Sequence, residues 1–295
     1  MMINKSISVI IPCTRPNLAR ETINSILPQL VSLDYEIIVI GPGLRCLKDD
    51  FKGYNITITD LPKISPSAAR NLGAKLSKHD ILIFIDDDCE VLDNFVENYL
   101  NKLKDPSVGA VSSKIIGKSK KFFAKCTDYS NFFTQIAEEE KLLTALKASF
   151  AIRKSLFEKL SGFDEDIIVQ EDVDFARRIV RLGLKVVYCP EAIVLHNHHR
   201  DTFSKVLKSN FSYGLLSGLS VSAKHKSSPT DKIRNLAKKA YALFIIPFAL
   251  HSTYLAAREI TRLSLRKVVY VPFIFVFHLI YQIGILNWVI VNGRK

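Results

Sequence analysis

The order of apolar segments in this chain of 295 residues predicts an α/β fold built on a parallel sheet. Two apolar, β-rich runs, residues 7–11 and 35–40, flank residues 18–30, whose apolar side chains recur at helical spacing. A strand, a helix and a second strand in this order form a βαβ unit, and its long crossover makes the two strands parallel. A further run, Ile81–Ile85, is apolar without interruption, which is typical of a strand covered on both faces.

The remaining elements continue this alternation of strands and helices. A short strand is predicted over residues 56–59. A helix over residues 67–76 follows Pro66, with Ser65 or Ser67 as its N-cap. In the second half we predict strands at 108–112, 148–152, 186–188 and 192–195, and helices at 154–160 and 171–182. Residues 1–200 are therefore expected to form one α/β domain.

Three carboxylates, Asp86, Asp87 and Asp88, directly follow the run Ile81–Ile85. Side chains two residues apart on an extended segment point the same way, so Asp86 and Asp88 can converge on one divalent cation while Asp87 faces elsewhere. A solvated acidic loop is the alternative interpretation. In parallel sheets ligands bind outside the carboxyl ends of the strands, and this acidic segment lies at such an end.

The loops at these strand ends predict a pocket for a phosphorylated ligand. A divalent metal would bridge the phosphates of that ligand to the carboxylates. The predicted lining comprises Thr14, Arg15, Gly41, Arg70, Asp86, Asp87 and Asp88. Neither GxxxxGK[ST] nor GxGxxG occurs in the sequence, which argues against a P-loop NTPase and a nicotinamide-dependent enzyme.

Two further polar segments have more than one interpretation. The helix predicted over 171–182 begins with Glu171, Asp172 and Asp174 and ends with arginines, an order that suits the helix macrodipole. These acids either cap the helix or take part in catalysis. The sequence HNHH at 196–199 follows a short strand and is either a surface feature or a source of metal ligands.

Several motifs, taken in order over residues 6–200, resemble the family 2 glycosyltransferases of the GT-A fold. The motifs are SVIIP, SAARNLG, FIDDDC, GFDED, QEDVDFARRIVRLG and VLHNHH. The resemblance implies a Rossmann-like α/β/α sandwich and a nucleotide-sugar donor. It also implies that Asp86 and Asp88 are the outer residues of a DxD motif that binds Mg or Mn. His196 would complete the metal site, with His198 and His199 as alternatives.

The same resemblance assigns roles at the donor and acceptor sides of the site. Arg70 matches an arginine that holds the donor nucleotide, and Pro12, Thr14 and Arg15 lie in the loop that lines the nucleotide pocket. Asp172 matches the catalytic base, with Glu171 beside it, which implies an inverting transfer. Many members have an acidic residue after the second strand, where this chain has Gly41-Pro42-Gly43.

Positive charge is concentrated in the C-terminal third of the chain. The formal net charge is +12, and residues 201–295 contain 14 Lys and Arg against 3 Asp and Glu. Residues 201–239 form a basic region with helical apolar spacing, either an interfacial helix or an ordinary amphipathic helix. The basic residues are interleaved with apolar runs, so we expect no nucleic-acid partner.

Residues 240–295 contain two apolar stretches, 240–257 and 268–291. At ~1.5 Å per residue the second reaches ~36 Å and could span a hydrocarbon core of ~30 Å, whereas the first, at ~27 Å, is marginal. A spanning hairpin would place Arg258, Arg262 and the following basic residues on the far side, against the positive-inside tendency. His278 and Gln282 share a helical face and could bond across the hairpin. A re-entrant or monotopic pair and a helical dimerisation module remain the alternatives.

These features predict an enzyme at the cytoplasmic face of the cell membrane. No secretory signal precedes the first strand, and five cysteines without a CxxC pair indicate reduced thiols. The expected acceptor is a lipid-linked or cell-surface glycan. Polyprenyl phosphate as the acceptor, and a non-catalytic relative that binds a sugar nucleotide, are the other interpretations. The sugar, the nucleotide and the oligomeric state are left open.

Overall fold

The computed structural model of the protein describes residues 6–224 and 231–292, which divide into two compact units. The sheet unit comprises the chain up to Lys118 together with Glu138–Glu165 and Glu171–His198. The helical unit comprises Ser119–Ala137, Asp166–Gln170 and the chain from His199 onward. The predicted basic region 201–239 includes residues 225–230, which lie outside the described residues. The functional division into 1–200, 201–239 and 240–295 stays a prediction.

The sheet unit contains, in its described part, one sheet of nine strands in the order β3-β2-β1-β4-β8-β6-β9-β5, with β7 paired to β9. The strands are β1 (Ser6–Pro12), β2 (Asp34–Gly41), β3 (Ile56–Asp60), β4 (Ile81–Ile85), β5 (Cys89–Val91), β6 (Val108–Gly117), β7 (Lys141–Leu142), β8 (Ser149–Arg153) and β9 (Lys185–His196). The α/β fold class is confirmed.

The parallel arrangement predicted from the first strands holds for only part of the sheet. Strands β1 to β4 are parallel, as are β6 and β9, but β8 runs antiparallel to both of its neighbours, β4 and β6. Strand β8 is almost fully buried, as a central parallel strand would be. A buried apolar run therefore predicts a central strand but not its direction.

The two short strands predicted at 186–188 and 192–195 form one continuous strand, β9. Its register against β6 shifts after Ser113, which pairs with Cys189, because Lys114 then pairs with Ile193. The extra residues include Pro190, which lacks an N–H donor and is accommodated at such an irregularity. Residues 189–191, which separate the two predicted strands, therefore form a bulge within one strand and do not end it.

Seven helices accompany these segments of the chain, and the structure confirms Ser65 as the N-cap of the third. The Ser65 Oγ accepts a hydrogen bond from the Ala68 N–H at 3.2 Å. Helices α2, α4 and α5 were not predicted. The helices are α1 (Pro16–Leu30), α2 (Arg45–Asp50), α3 (Pro66–Leu76), α4 (Phe95–Lys102), α5 (Phe122–Asn131), α6 (Lys154–Lys159) and α7 (Glu171–Arg181), of which α5 belongs to the helical unit.

An aromatic cluster inside the sheet unit fixes α7 relative to β4. Phe84 of β4 stacks on Phe150 of β8 with ring centroids 4.6 Å apart, and Phe157 of α6 lies 5.3 Å from Phe84. Phe175 of α7 stacks on Phe163 at 4.6 Å. Close ring contacts of this kind add stability beyond their buried area. The cluster connects the helix that carries Asp172 to the strand that precedes Asp86.

The helical unit is formed by α5 with α8 (Phe203–Lys224), α9 (Asp231–Leu263) and α10 (Val271–Asn292), and by the 3₁₀ segments Phe133–Gln135 and Leu265–Tyr270. Helix α10 packs against α5, α8 and α9. A Cβ on Gly214 of α8 would lie 2.1 Å from the Tyr281 carbonyl oxygen of α10, so these two helices meet backbone to backbone.

Polar side chains of α10 bond to α9, as predicted for His278 and Gln282. His278 Nδ1 lies 3.0 Å from Thr253 Oγ1, and Tyr241 donates to Gln282 Oε1. Within the described residues, one helical segment, Leu265–Trp288, is long and apolar enough to cross a membrane. The stretch 240–257, predicted as the marginal member of a hairpin, lies inside the longer α9.

Candidate active site

Asp87 holds the loop between β1 and α1. Its Oδ2 accepts hydrogen bonds from the backbone N–H groups of Thr14 at 2.7 Å and Arg15 at 2.8 Å. Its Oδ1 accepts from the Arg15 Nε at 3.1 Å, and the Arg15 Nη2 also contacts it. Asp87 is almost completely buried, and its own carbonyl accepts from the Thr22 hydroxyl at 3.0 Å. Asp87 organises the loop that contains Thr14 and Arg15, which continues from Pro12 at the end of β1, and the Arg15 guanidinium that contacts Asp87 also contacts Asp88.

Asp88 is buried between an arginine and a histidine. Its Oδ2 lies 2.9 Å from Arg15 Nη1 and 3.2 Å from His196 Nε2. Burial raises the pKa of Asp88, but the hydrogen bonds and charges of His196 and Arg15 outweigh it and lower the pKa to about 2. Asp88 is therefore ionised throughout the physiological range. The backbone also joins the two segments, since the Asn197 N–H donates to the Asp88 carbonyl at 2.8 Å.

Potential metal ligands in the described residues converge around this pair. One ligand atom each from Asp88, Cys89 and His196 lies within 4.8 Å of the other two. The pKa of Cys89 is raised well above its ordinary value by burial and by the neighbouring carboxylates, so its sulfur stays a thiol. The His198 ring lies 5.5 Å from that of His196. Of the predicted histidines, His196 contacts Asp88, and His199 belongs to the helical unit.

Arg70 connects the acidic strand end to the acidic helix start. Its Nη2 donates to Asp86 Oδ1 at 2.8 Å and its Nη1 to Glu171 Oε1 at 3.0 Å. The guanidinium lies 5.4 Å from the centre of the Phe163 ring and is largely buried. Burial raises the pKa of Asp86, and the Arg70 charge opposes that shift. The sequence predicted both partners as site residues but did not predict that Arg70 bridges them.

Asp172, the second residue of α7, interacts electrostatically with Lys147, a residue that was not predicted as part of the site. Burial raises the pKa of Asp172 to about 6, with Lys147 lowering it and Glu171 raising it further. Burial in turn lowers the pKa of Lys147, an effect that Asp172 opposes. Lys147 immediately precedes Ala148, whose φ of 58° is in the left-handed region that non-glycine residues rarely adopt. Lysines near strand starts are common, so no sequence signal distinguishes Lys147; only the pairing of β8 with β4 brings it to this end of the sheet.

The Gly41-Pro42-Gly43 segment has a steric explanation. A Cβ on Gly41 would lie 1.6 Å from the Cys13 carbonyl oxygen, so no larger residue fits where β2 passes the end of β1. The carboxylate near this turn comes from the neighbouring strand instead. Asp60 ends β3 in register with Gly41, and its Oδ1 accepts from the Gly43 N–H at 2.8 Å. Asp60 was not among the predicted site residues, although it follows the predicted third strand directly.

The site thus brings together Asp86, Asp87, Asp88, Arg15, Arg70, Glu171 and His196 through direct contacts, with Asp172 beside Glu171 on α7. The assignment of these residues to metal, donor and base stays a prediction.

Residues 8–161, more than half of the chain, match the family model described as Glycosyl transferase family 2. The class of protein is therefore a glycosyltransferase. The chain belongs to glycosyltransferase family 2, which confirms the resemblance seen in its motifs.

Named relatives and a solved structure agree with this membership. The O-antigen chain rhamnosyltransferase RfbN of Salmonella typhimurium is 31% identical over 189 residues, which cover 58% of this chain and 60% of that protein. The pre-mycofactocin glycosyltransferase of Mycobacterium tuberculosis is 26% identical over 206 residues, which cover 65% of this chain and 44% of that protein. This chain therefore spans about half the length of these relatives.

The crystal structure of GalNAc-T7 with UDP, GalNAc and Mn2+ has a similar fold. The TM-score is 0.52 at 17% sequence identity, and the likeness covers 65% of this chain and 43% of that one. At this identity the likeness concerns the fold, and it agrees with the GT-A architecture predicted from the sequence.

Proposed function

We propose that the protein is an inverting, divalent-metal-dependent glycosyltransferase. It moves a sugar from a nucleotide-diphosphate sugar to a hydroxyl of a lipid-linked or cell-surface glycan. The observation that carries the proposal is the set of contacts at this end of the sheet: Asp88 contacts His196, and Arg70 joins Asp86 to Glu171, the residue before Asp172. The relative named as an O-antigen chain rhamnosyltransferase supports a glycan acceptor.

The charge of the site supports a divalent cation as cofactor. Four carboxylates, those of Asp86, Asp87, Asp88 and Glu171, face two guanidinium groups, those of Arg15 and Arg70. This surplus of negative charge would repel a diphosphate unless a cation were added. The donor types also fit, because carboxylate and imidazole are ligands of Mn²⁺ and carboxylate is a ligand of Mg²⁺. GalNAc-T7, which shares the fold, was crystallised with UDP and Mn2+.

Asp88 and His196 would hold the cation, with Asp86 on the same loop as a further carboxylate. When bound, the cation would offset the charge that develops on the departing nucleoside diphosphate. Cys89, which lies beside this pair, is a poor ligand for Mg²⁺ or Mn²⁺, because sulfur prefers softer metals.

The chain's own residues supply binding and orientation on the donor side. The loop that contains Pro12, Thr14 and Arg15 is held rigidly by Asp87, so Asp87 would act on the donor through this loop. The Arg15 side chain is 42% exposed, and its guanidinium contacts Asp87 and Asp88, so Arg15 would place positive charge beside the donor phosphates. Arg70 is largely buried between Asp86 and Glu171 and would fix the donor loop relative to α7.

Asp172 would act as the general base on the acceptor side. Its raised pKa of about 6 supports this role, because a base works best when its pKa lies near the operating pH. Asp172 takes the proton of the acceptor hydroxyl as that oxygen bonds to the anomeric carbon. The bond from that carbon to the diphosphate breaks on the opposite face, which inverts the configuration.

Calorimetric titration tests the donor half of this proposal. Purified protein is titrated with UDP, GDP and dTDP, each with Mn²⁺, with Mg²⁺ and without metal. We expect one nucleotide to bind in the presence of metal, and binding to be lost in Asp88→Asn. Asp93→Asn changes an exposed carboxylate near the same loop and is expected to bind like the unaltered protein.

Two outcomes would reject the proposal in different ways. Equal affinity with and without metal would reject metal dependence while keeping the donor site. Failure of all three nucleotides to bind under every condition would favour the non-catalytic relative.

A further inference from the structure

Helix α9 carries an apolar surface on the side away from the core of the helical unit. Its buried positions include Ala249, Thr253, Ala256 and Ile260, and they recur every three or four residues. The opposite side is exposed and apolar as well. We define the outer surface of α9 as Leu243, Phe244, Ile246, Phe248, Leu250 and Tyr254, whose exposure runs from 44% at Phe248 to 78% at Leu243.

Such an arrangement is unusual for a helix that faces water. A helix at the surface of a soluble protein normally carries polar residues opposite its apolar stripe, whereas α9 is apolar on both sides between residues 243 and 254. The exposed polar side chain within this stretch is His251. A contiguous exposed apolar surface of this kind marks an interaction site.

The charges next to the outer surface are positive. At 100° per residue, Arg258 follows one turn after Tyr254 on the same side of the helix, and Arg262 follows one turn later; both are substantially exposed. The neighbouring acid, Glu259, is buried and contacts both arginines. Arg266 is exposed in the 3₁₀ segment that follows. Positive charge beside an apolar surface is complementary to an anionic lipid surface.

We propose that the outer surface of α9 binds an anionic phospholipid bilayer by inserting into one leaflet without crossing it. The twelve residues from 243 to 254 extend over ~18 Å, well short of the ~30 Å hydrocarbon core. With α9 in the interface, Arg258 and Arg262 stay at the level of the lipid phosphates on the side where the helix entered. No arginine then has to lie on the far side of the membrane, as a spanning hairpin would require.

The contacts of α10 agree with this placement. His278 Nε2 lies 3.1 Å from Ser130 of α5, and His278 Nδ1 lies 3.0 Å from Thr253 of α9. The apolar helix that is long enough to span is thus packed by polar contacts on α5 and α9 within its own unit. This proposal extends the proposed function. It rests on that function in one respect: bilayer binding would bring the enzyme to a lipid-linked acceptor.

Vesicle co-flotation of the full chain tests the proposal without requiring turnover. The vesicles contain phosphatidylcholine with or without phosphatidylglycerol. The variant Leu243→Gln/Leu250→Gln/Tyr254→Gln removes apolar area from exposed positions, so we expect binding to anionic vesicles to fall at least about tenfold. The matched control, Val31→Gln/Leu142→Gln/Val180→Gln, alters equally exposed apolar residues of the sheet unit and is expected to bind unchanged.

A second variant tests the charge component. Arg262→Gln/Arg266→Gln leaves Arg258 beside Glu259 and is expected to reduce the preference for anionic vesicles by about fivefold for each charge removed. If the triple variant does not fold, Leu250→Gln alone tests the same surface with a smaller expected loss.

Two results would overturn the proposal. Unchanged flotation of the outer-surface variants would assign membrane binding to another part of the chain. A wild-type chain that ignores vesicles but forms a dimer in light scattering, with the triple variant monomeric, would assign the surface to a second copy. Either result is separable from failure of the proposed function, because nucleotide binding is measured by calorimetry in the absence of vesicles.

Discussion

The sheet unit and the helical unit both bury polar side chains, but charged groups converge at the site in the sheet unit, whereas hydroxyl, imidazole and amide groups join α10 to α5 and α9 in the helical unit. At the edge of the sheet, Asp87, Asp88 and Glu171 are held by the guanidinium groups of Arg15 and Arg70. In the helical unit, hydroxyl, imidazole and amide groups join α10 to α5 and α9, those of Ser130, Thr253, His278 and Gln282, whereas the buried carboxylates of Asp128 and Glu259 are paired with Lys125 and with Arg258 and Arg262.

The two kinds of buried group suit different purposes, chemistry in the sheet unit and helix positioning in the helical unit. Buried charges shift each other's pKa values and create strong local fields, which suit acid–base chemistry and the binding of phosphates. Neutral hydrogen-bonded groups need no counter-charge, and a hydroxyl can donate or accept as its partner requires. They fix how α10 sits against α5 and α9.

The largest expected effect is on turnover, and it tests whether the charged cluster is chemical rather than structural. Asp172→Asn keeps the size of the side chain but cannot accept a proton, so kcat should fall by about 10²- to 10⁴-fold. Donor affinity from calorimetry should change little. A variant that loses donor binding in parallel with kcat would show that Asp172 supports the fold of the site instead.

Removing Arg70 should give the largest effect on stability. Arg70→Met leaves Asp86 and Glu171 without their counter-charge, and breaking a buried pair in this way costs about 3–5 kcal/mol of unfolding free energy. The control is Arg20→Met, which removes the more exposed pair with Asp50 and should cost about 0–1 kcal/mol. Urea unfolding measures both, and equal losses would contradict the distinction.

His278 provides the corresponding test in the helical unit. His278→Leu leaves the buried Ser130 hydroxyl without this partner, while Thr253 still donates to the Ala249 carbonyl at 2.7 Å. The expected loss is about 1–3 kcal/mol. The double variant His278→Leu/Ser130→Ala should lose less than the sum of the single variants, since both partners are then apolar. Strict additivity in urea unfolding would show that the hydrogen bond contributes nothing.

The pH dependence of the rate tests the role of Asp172 in the sheet unit. With the pKa of Asp172 at about 6, the carboxylate is protonated below that pH, and kcat/KM should fall about tenfold per pH unit there. The raised pKa also means that protonating Asp172 stabilises the fold as pH falls from about 6 toward about 4, so unfolding does not explain the loss of rate. A rate profile that stays flat to about pH 4 would exclude Asp172 as the base.

The positions of strands with a strong local pattern could be predicted from the sequence. The direction of β8 and the continuity of β9, which depend on neighbouring strands, could not. The runs at β1, β2 and β4 are continuous apolar segments bounded by turn residues, so their positions follow from the sequence. The antiparallel direction of β8 depends on how the chain returns to the sheet, which no periodicity encodes. Pro190 lies in the gap between the predicted strands 186–188 and 192–195, but the strand continues through it with a bulge because β6 continues beside it.

The sequence by itself determined which chemistry is available and at which element ends it lies. Carboxylates at the end of a strand and in the first turn of a helix are local features, so Asp86, Asp88 and Asp172 could be selected without a structure. Only the tertiary structure decided their partners. Arg70 reaches Glu171 across 101 positions of the chain, and Asp87 holds Thr14 across 73. Contacts of such separation arise because sheet pairing brings distant strand ends to one edge, and that pairing is a property of the whole fold.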